Sequence, residues 1–512
     1  MLNFSSVGAL EVILLITCIG ISYYGYSSSK RGGSPLPPGP KKVPLFGNKL
    51  DVPLTFQWLK YSEWHKKYGP MITVNMMGLN IIVISSQKIV QDLLEKRHTQ
   101  YSERPRFPMI TDLVGWDQTT VFMPIDSLWK EHRKNFSRLF GTKTTMAKFF
   151  SMEVFEARRF MRNILREKDK LEDHVRYWAG SLSLKIAYGY ETKVGHDDLV
   201  ELVDEAMDQF TFLSKPGRYL VDFFPILKYV PAWVPGATFQ RKAAFYRKTL
   251  TDMINIPFEM AQKQLKAGTA KPSFTTDLLS ADDYNSQKEY ALKTSAATIY
   301  AGGADTTAGQ THGFILIMML WPEACKKAQA EIDRVIGPDR LPDYNDRENL
   351  PFVEACIKEA MRLHTFVPLG ATRIAPKDDV VNGYFIPAGT IIQPHAWQML
   401  HDPDTYPNPF NFIPERWLVE NPPPQTREMM FGFGRRMCPG MVLADASVWL
   451  AATMFLALFD IKPTDGSPKK FDQGPDGVLD GQNLCHPKPF KSNITPRNAK
   501  AEALILSIDH EL

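Results

Sequence analysis

The chain has 512 residues, a formal net charge of +4, 44% hydrophobic and 23% charged residues, an ordinary globular composition. That length exceeds the usual size of one hydrophobic core, so two to four domains or one unusually large unit are expected. The slight charge, with no run of Lys and Arg interleaved with aromatics, argues against a nucleic-acid groove. Five scattered cysteines without a CxxC pair argue against a structural zinc or dithiol motif and fit a reducing, cytosol-facing environment.

Residues 7–26, VGALEVILLITCIGISYYGY, form an almost wholly apolar stretch about as long as a bilayer-spanning helix. A signal peptide would want a basic start, a shorter apolar core and a small-residue cleavage site. A buried core helix is the other competing reading. Lys30, Arg31, Lys41 and Lys42 follow the span, which leaves residues 1–6 lumenal and puts the rest of the chain on the cytosolic side. Residues 27–48, rich in Gly, Ser and Pro, read as a linker stiffened by Pro35, Pro37, Pro38 and Pro40.

Residues 49–512 show no second low-complexity gap and no internal repeat, and are expected to form one large catalytic unit. Helical spacing covers 54–67, 87–97, 127–140, 149–168, 172–189, 198–213, 240–266, 287–320, 322–336, 351–364 and 441–458. Strand signals are MITVNMM, NIIVISS and VVNGYFIPAGTIIQP. The expected fold class is mainly α with small β-sheets.

The most informative stretch is FGFGRRMCPG, residues 431–440. Pro439 and Gly440 precede an apolar helical pattern, so Cys438 is expected at a helix N-terminus, where unpaired backbone N–H groups favour an anion. Neighbouring glycines and Arg435 and Arg436 add to this, and such a setting lowers a thiol pKa. A thiolate there is either a nucleophile or a metal ligand. No nucleophile motif surrounds it, although the eleven histidines leave a distant partner open. One cysteine can hold iron when a macrocycle supplies the remaining ligands.

Phe431, Gly434, Arg436, Cys438 and Gly440 match every fixed position of FxxGxRxCxG, and here the chain resembles the cytochrome P-450 family of haem-thiolate monooxygenases. Three more regions match in the family's order. AGGADTTAGQTHG, 301–313, resembles the oxygen-activation motif, with Gly302 and the threonines expected to distort the helix locally; taken alone it also fits a small-residue packing seam. KEAMRL with Glu359 and Arg362, and PERW with Arg416, resemble the ExxR and PER elements, although an i, i+3 Glu–Arg pair by itself reads as a solvated surface pair. WKEHR, with Trp129 and Arg133, resembles the WxxxR pair that meets a haem propionate, and Arg373 resembles a second propionate partner.

The resemblance implies the cytochrome P-450 fold behind one N-terminal transmembrane helix, with haem b held on Cys438. It implies that Asp305 and Thr306 deliver protons and that Glu359, Arg362 and Arg416 form a buried network. No dinucleotide fingerprint is present, so electrons are expected from an NADPH cytochrome P-450 reductase, with cytochrome b5 as an additional donor. Lys130, Lys134, Arg435 and Arg436 would offer that partner a basic face. O2 and a lipophilic small molecule are the expected substrates, with Thr298, Ala301, Gly302, Phe366, Val367 and Leu484 in the pocket, together with residues near 105–121 and in 210–224. The wording is closest to fungal microsomal members of secondary metabolism, which implies the endoplasmic reticulum membrane. A haem-thiolate isomerase or dehydratase and a membrane-anchored haem gas sensor are the alternatives; neither needs the Asp305 and Thr306 pair.

Overall fold

The computed structural model describes residues 33–193, 196–214 and 218–507; the expected membrane span at 7–26 lies outside them. In chain order the principal elements are α1 (Gln57–Tyr68), β1 (Met71–Met76), β2 (Leu79–Ile84), α2 (Ser127–Phe140), α3 (Phe150–Arg166), α4 (Leu171–Tyr188), α5 (Asp198–Leu213) and α6 (Thr238–Lys266). They continue with α7 (Ser286–Leu320), α8 (Pro322–Val335), α9 (Pro351–Leu363), β3 (Arg373–Ile374), β4 (Asp379–Val381), β5 (Tyr384–Ile386), β6 (Ile391–Pro394), α10 (Met441–Leu458), β7 (Phe459–Lys462) and β8 (Asn493–Pro496).

Local chemistry explains the helix starts. Asp126, Asp197 and Asn285 side chains accept backbone N–H groups at the beginnings of α2, α5 and α7. Pro322 and Pro351 stand at the first positions of α8 and α9, where a missing N–H costs nothing. Two helices are apolar on nearly every side and therefore run through the core. One is α7, buried along most of its 35 residues. The other is α10, the one helix among the described residues long and apolar enough to cross a membrane, yet 72% of that window is buried inside the protein.

A four-stranded sheet has the order β1-β2-β6-β3. Its first two strands pair antiparallel across Met77 and Gly78, both with positive φ, the backbone that a tight hairpin demands. Strand β6 joins β2 in parallel, Ile81 opposite Ile391, and pairs antiparallel with β3, Arg373 opposite Ile392. The described part of the proline-rich segment lies against the sheets: Thr73 N–H donates to Pro38 O at 2.8 Å, and Phe385 N–H to Pro35 O at 2.8 Å. The expected helix at 87–97 is split, its second half widening into a π-turn over Asp92–Lys96.

Candidate active site

A cavity of about 360 Å³ lies between α2, α4, α7, α10 and the loop that carries Cys438. Among the described cysteines, Cys438 alone lines it. Its N–H donates to Phe431 O at 2.8 Å, closing the loop on itself. Gly434 sits at φ +58, and a Cβ there would fall 2.0 Å from the Leu94 carbonyl oxygen. The π-turn and the cysteine loop therefore meet backbone to backbone, and only glycine permits the contact.

The expected low thiol pKa is corrected by the structure. Burial pushes the Cys438 thiol up, and the Gly440 backbone N–H and the Arg133 charge only partly offset this.

Four arginines, Arg104, Arg133, Arg373 and Arg436, line the same cavity. Arg133 Nη1 donates to Met437 O at 2.7 Å, and Arg373 Nη1 to Ala371 O at 2.8 Å. Arg104 donates to Thr372 O. Arg436 donates to the carbonyls of Ser102, Thr120 and Met123 at 2.9, 3.3 and 2.7 Å, so it ties the cysteine loop to the segment before α2 and, being buried, belongs to no docking face. The ring of Trp129 lies under the guanidinium groups of Arg133 and Arg436, 5.9 and 5.1 Å from its centroid.

Burial and mutual repulsion lower the pKa of Arg373 to about 9 and of Arg436 to about 10, and depress Arg104 strongly. The guanidinium pKa in water is so high that these groups stay charged even so. Arg104 Nε and Trp129 Nε1 are also buried without a hydrogen-bond partner. Unsatisfied cations and donors at the rim, with a lone sulfur at the floor, fit a planar group carrying two carboxylates and a central metal ion. Arg104 has no local sequence signal; it was found only because the fold brings it beside Arg373.

The Glu359 network is buried. Glu359 accepts from Arg362 Nη2 at 2.9 Å and Nε at 3.0 Å, from Arg416 Nε at 3.1 Å, from Ile413 N–H at 3.1 Å and from Trp417 Nε1 at 3.0 Å. Glu359 and Arg362 are fully buried, unlike the surface pair that their spacing alone suggests. Arg362 also stacks on Tyr406, 5.4 Å from the ring centroid, whose hydroxyl donates to Pro424 O at 2.9 Å just before the cysteine loop.

On α7 the cavity stripe is Thr298, Ile299, Gly302, Gly303, Thr306, Thr307 and Gln310. The helix runs unbroken, and the expected distortion amounts to Thr306 Oγ1 donating to Gly302 O at 2.8 Å. Asp305 is turned away from the cavity: its Oδ1 lies 3.0 Å from His486 Nε2 and 3.8 Å from Arg176 Nη1. Phe366 and Val367 line the cavity as expected, Phe366 pressed against Gly309, where a Cβ would come within 2.1 Å of its ring. Ala301 and Leu484 are buried but do not line it, because Ala301 shares the Asp305 stripe and Leu484 packs into the core. Of the expected stretches, Thr120 and Val121 reach the cavity and no described residue of 210–224 does.

The sequence profile described as Cytochrome P450 matches residues 37–493. Similar proteins include cytochrome P450 monooxygenase 208 of Postia placenta, 42% identical over 98% of this chain and 97% of that protein. Cytochrome P450 monooxygenase COX2 of Coprinopsis cinerea is 38% identical over 95% and 94% of the two chains. Cytochrome P450 monooxygenase ppsD of Aspergillus oryzae is 38% identical over 92% and 91%. The match thus runs through the cysteine loop, the arginine rim and the buried glutamate network alike, and the chain belongs to the cytochrome P450 family of monooxygenases.

Proposed function

We propose that this chain is a membrane-anchored monooxygenase that hydroxylates or otherwise oxidises a lipophilic small molecule, in fungal secondary metabolism. Haem b is the cofactor, and Cys438 would hold its iron. The observation that carries this reading is the cavity itself, with Cys438 at its floor and uncompensated arginines at its rim. Haem iron bound through a thiolate supplies O–O bond cleavage and oxygen-atom transfer.

The residues supply the rest. Arg104, Arg133 and Arg373 take the two propionates, with Trp129 Nε1 as a further donor. Phe366, Val367, Ile299 and Val121 make the space above the sulfur apolar, which excludes water and favours a lipophilic substrate. Thr306 places a hydroxyl in that space, and Asp305, one residue earlier, is the acid that feeds it protons. NADPH–cytochrome P450 reductase supplies the electrons, with cytochrome b5 as an additional donor. Lys130, Lys134 and Arg435 are exposed and suit an acidic partner.

The body stands on the cytosolic side of the endoplasmic reticulum membrane, held by residues 7–26 as its single span. Exposed apolar side chains support this placement. Leu45, Phe46, Leu50 and Leu54 form one group and Leu220, Phe224, Ile226, Tyr229 and Trp233 another, and Lys49 over the Phe223 ring joins the two at 5.1 Å.

The test is the reduced, CO-bound minus reduced difference spectrum of the detergent-solubilised protein. The red-shifted Soret band of a thiolate complex is expected, and Cys438→Ser must abolish it. A variant that kept that band would remove Cys438 from the iron. Thr306→Ala is expected to release peroxide in place of product, and unchanged coupling would take Thr306 out of the relay.

A further inference from the structure

Asp305 is buried, and the charges around it do not balance through Arg176 alone. Arg176, on α4, faces Glu172 on its own helix, Asp204 and Asp208 on α5, and Asp305 on α7. Asp208 is exposed and Asp204 half-buried, so this group of charges runs from the surface to Asp305. Its second partner is His486, from the loop before β8, whose Nε2 lies 3.0 Å from Asp305 Oδ1. Asp305 Oδ2 is buried with no hydrogen-bond partner.

The His486 ring is held firmly. Asp480 N–H donates to His486 O at 3.0 Å and Cys485 N–H to Phe366 O at 2.8 Å, and Asn483 Nδ2 donates to Ser214 O at 3.1 Å, past the end of α5. The ring meets Phe366, a wall of the cavity, edge to face at 4.9 Å. Two other histidines face this region. His312 on α7 and His364 beyond α9 are pushed down to about 3 and about 4 by burial and stay neutral. His486 goes the other way: burial opposes its charge, but the hydrogen bond and charge of Asp305 outweigh burial, against the repulsion of Arg176 and with help from Asp480.

We propose that His486 recharges Asp305 with protons, so that the acid feeding Thr306 is refilled from the loop before β8; this rests on the relay reading above. The His486 Nε2–H bond breaks and the proton passes to Asp305 Oδ1. The carboxyl group then gives up one proton through water towards Thr306 Oγ1, and neutral His486 regains one from solvent, so one proton enters for each one delivered. His486 is a positioning residue, acting on the reaction only through Asp305.

The test uses the haem-loaded full chain with NADPH–cytochrome P450 reductase and no added substrate, reading NADPH consumed per O2 consumed. Peroxide release consumes equal amounts; reduction through to water consumes twice as much NADPH and needs the extra protons. The wild-type ratio is expected to fall as pH rises through the His486 titration. His486→Asn should give a low, pH-independent ratio with several-fold more peroxide, and His486→Lys, which keeps a proton donor, should restore most of the ratio. Independently of turnover, NMR of histidine-labelled protein should show the His486 ring titrating above the ordinary range, and Asp305→Asn should bring it down. A wild-type ratio and pH profile in His486→Asn, beside a lost ratio in Asp305→Asn, overturns the His486 assignment alone. Wild-type behaviour in Asp305→Asn as well overturns the relay with it.

Discussion

Arg133 Nη1 donates to the Met437 carbonyl at 2.7 Å, so the helix that bears part of the arginine rim also holds the peptide unit immediately before Cys438. One side chain thereby ties α2 to the cysteine loop and, in the proposed reading, would also supply charge to a propionate. Arg133→Ala is expected to lower haem content several-fold, read as Soret absorbance per mole of protein. Arg133→Lys should recover only part of it, since an ammonium cannot make the same forked contacts. Full haem retention in Arg133→Ala would show that the rim is carried by Arg104 and Arg373.

Glu359 is the sole carboxylate paired with Arg362 and Arg416 among the described residues. Glu359→Gln keeps the shape but leaves two buried guanidinium groups without a counter-charge, a loss of roughly 3–5 kcal/mol. Trp417→Phe removes one neutral donor and leaves the ion pairs intact, so its cost should be about 1–2 kcal/mol. Thermal unfolding and soluble yield should rank the two variants in that order. The reverse order would mean that packing of Trp417 matters more than the charge.

Acid should destabilise the fold well before most carboxylates titrate. Burial lowers the pKa of His65, His132 and His364 to about 4 and of His312 and His401 to about 3. Unfolded, each takes up a proton near pH 6.5, while the folded protein holds it neutral. The stability they contribute is complete above about pH 6.5 and is lost as pH falls towards 4, by at most about 1.4 kcal/mol per histidine per pH unit. Glu153 acts the other way: burial raises it to about 7, so it contributes most at low pH and that contribution fades as pH rises through 7. Asp204 and Asp222, which burial raises to about 6, act as Glu153 does, but the five histidines, with His395 also held low, outnumber these three and decide the sign. The melting temperature should fall steadily between about pH 6.5 and 4, with net proton uptake on unfolding measurable by calorimetry in buffers of different ionisation heat; proton release in that window would contradict the neutral histidine core.

The local fold of the cysteine loop was legible because Phe431, Gly434, Arg436, Cys438 and Gly440 lie within ten residues, where backbone and side chain meet locally, but the direction of the Cys438 pKa was not, because burial came only with packing. The long helices were legible for a similar reason, since an apolar stripe repeated over several turns leaves a clear period. The short helices Phe274–Leu279 and Thr426–Phe431 escaped because one turn and a half carries too little pattern. Arg104 and His486 escaped because their meaning lies in what the fold brings beside them. Glu359 and Arg362 show the same limit from the other side: their spacing gave the pairing, but burial decides that the pair is structural and came only with packing. Spacing on α7 also separated poorly what the helix separates well, the Thr298–Gly302–Thr306 stripe from the Ala301–Asp305 stripe.

Trp233, 81% exposed, is the one strongly exposed tryptophan among the described residues, and it sits in the apolar group proposed to meet the bilayer. Two separate segments, 45–54 and 220–233, each present large aliphatic or aromatic side chains, and a soluble surface has no reason to gather them on both sides of the Lys49–Phe223 contact. An indole at a bilayer face places its ring among the headgroups. In full-length protein reconstituted into vesicles, brominated lipids should therefore quench part of the tryptophan fluorescence, and Trp233→Phe should remove most of the quenchable share, since the other tryptophans near the core, such as Trp178 and Trp449, are buried. Ile226→Asp should weaken quenching of Trp233 by lifting the segment from the lipid. Quenching unchanged in both variants would place this apolar group in water or against another protein.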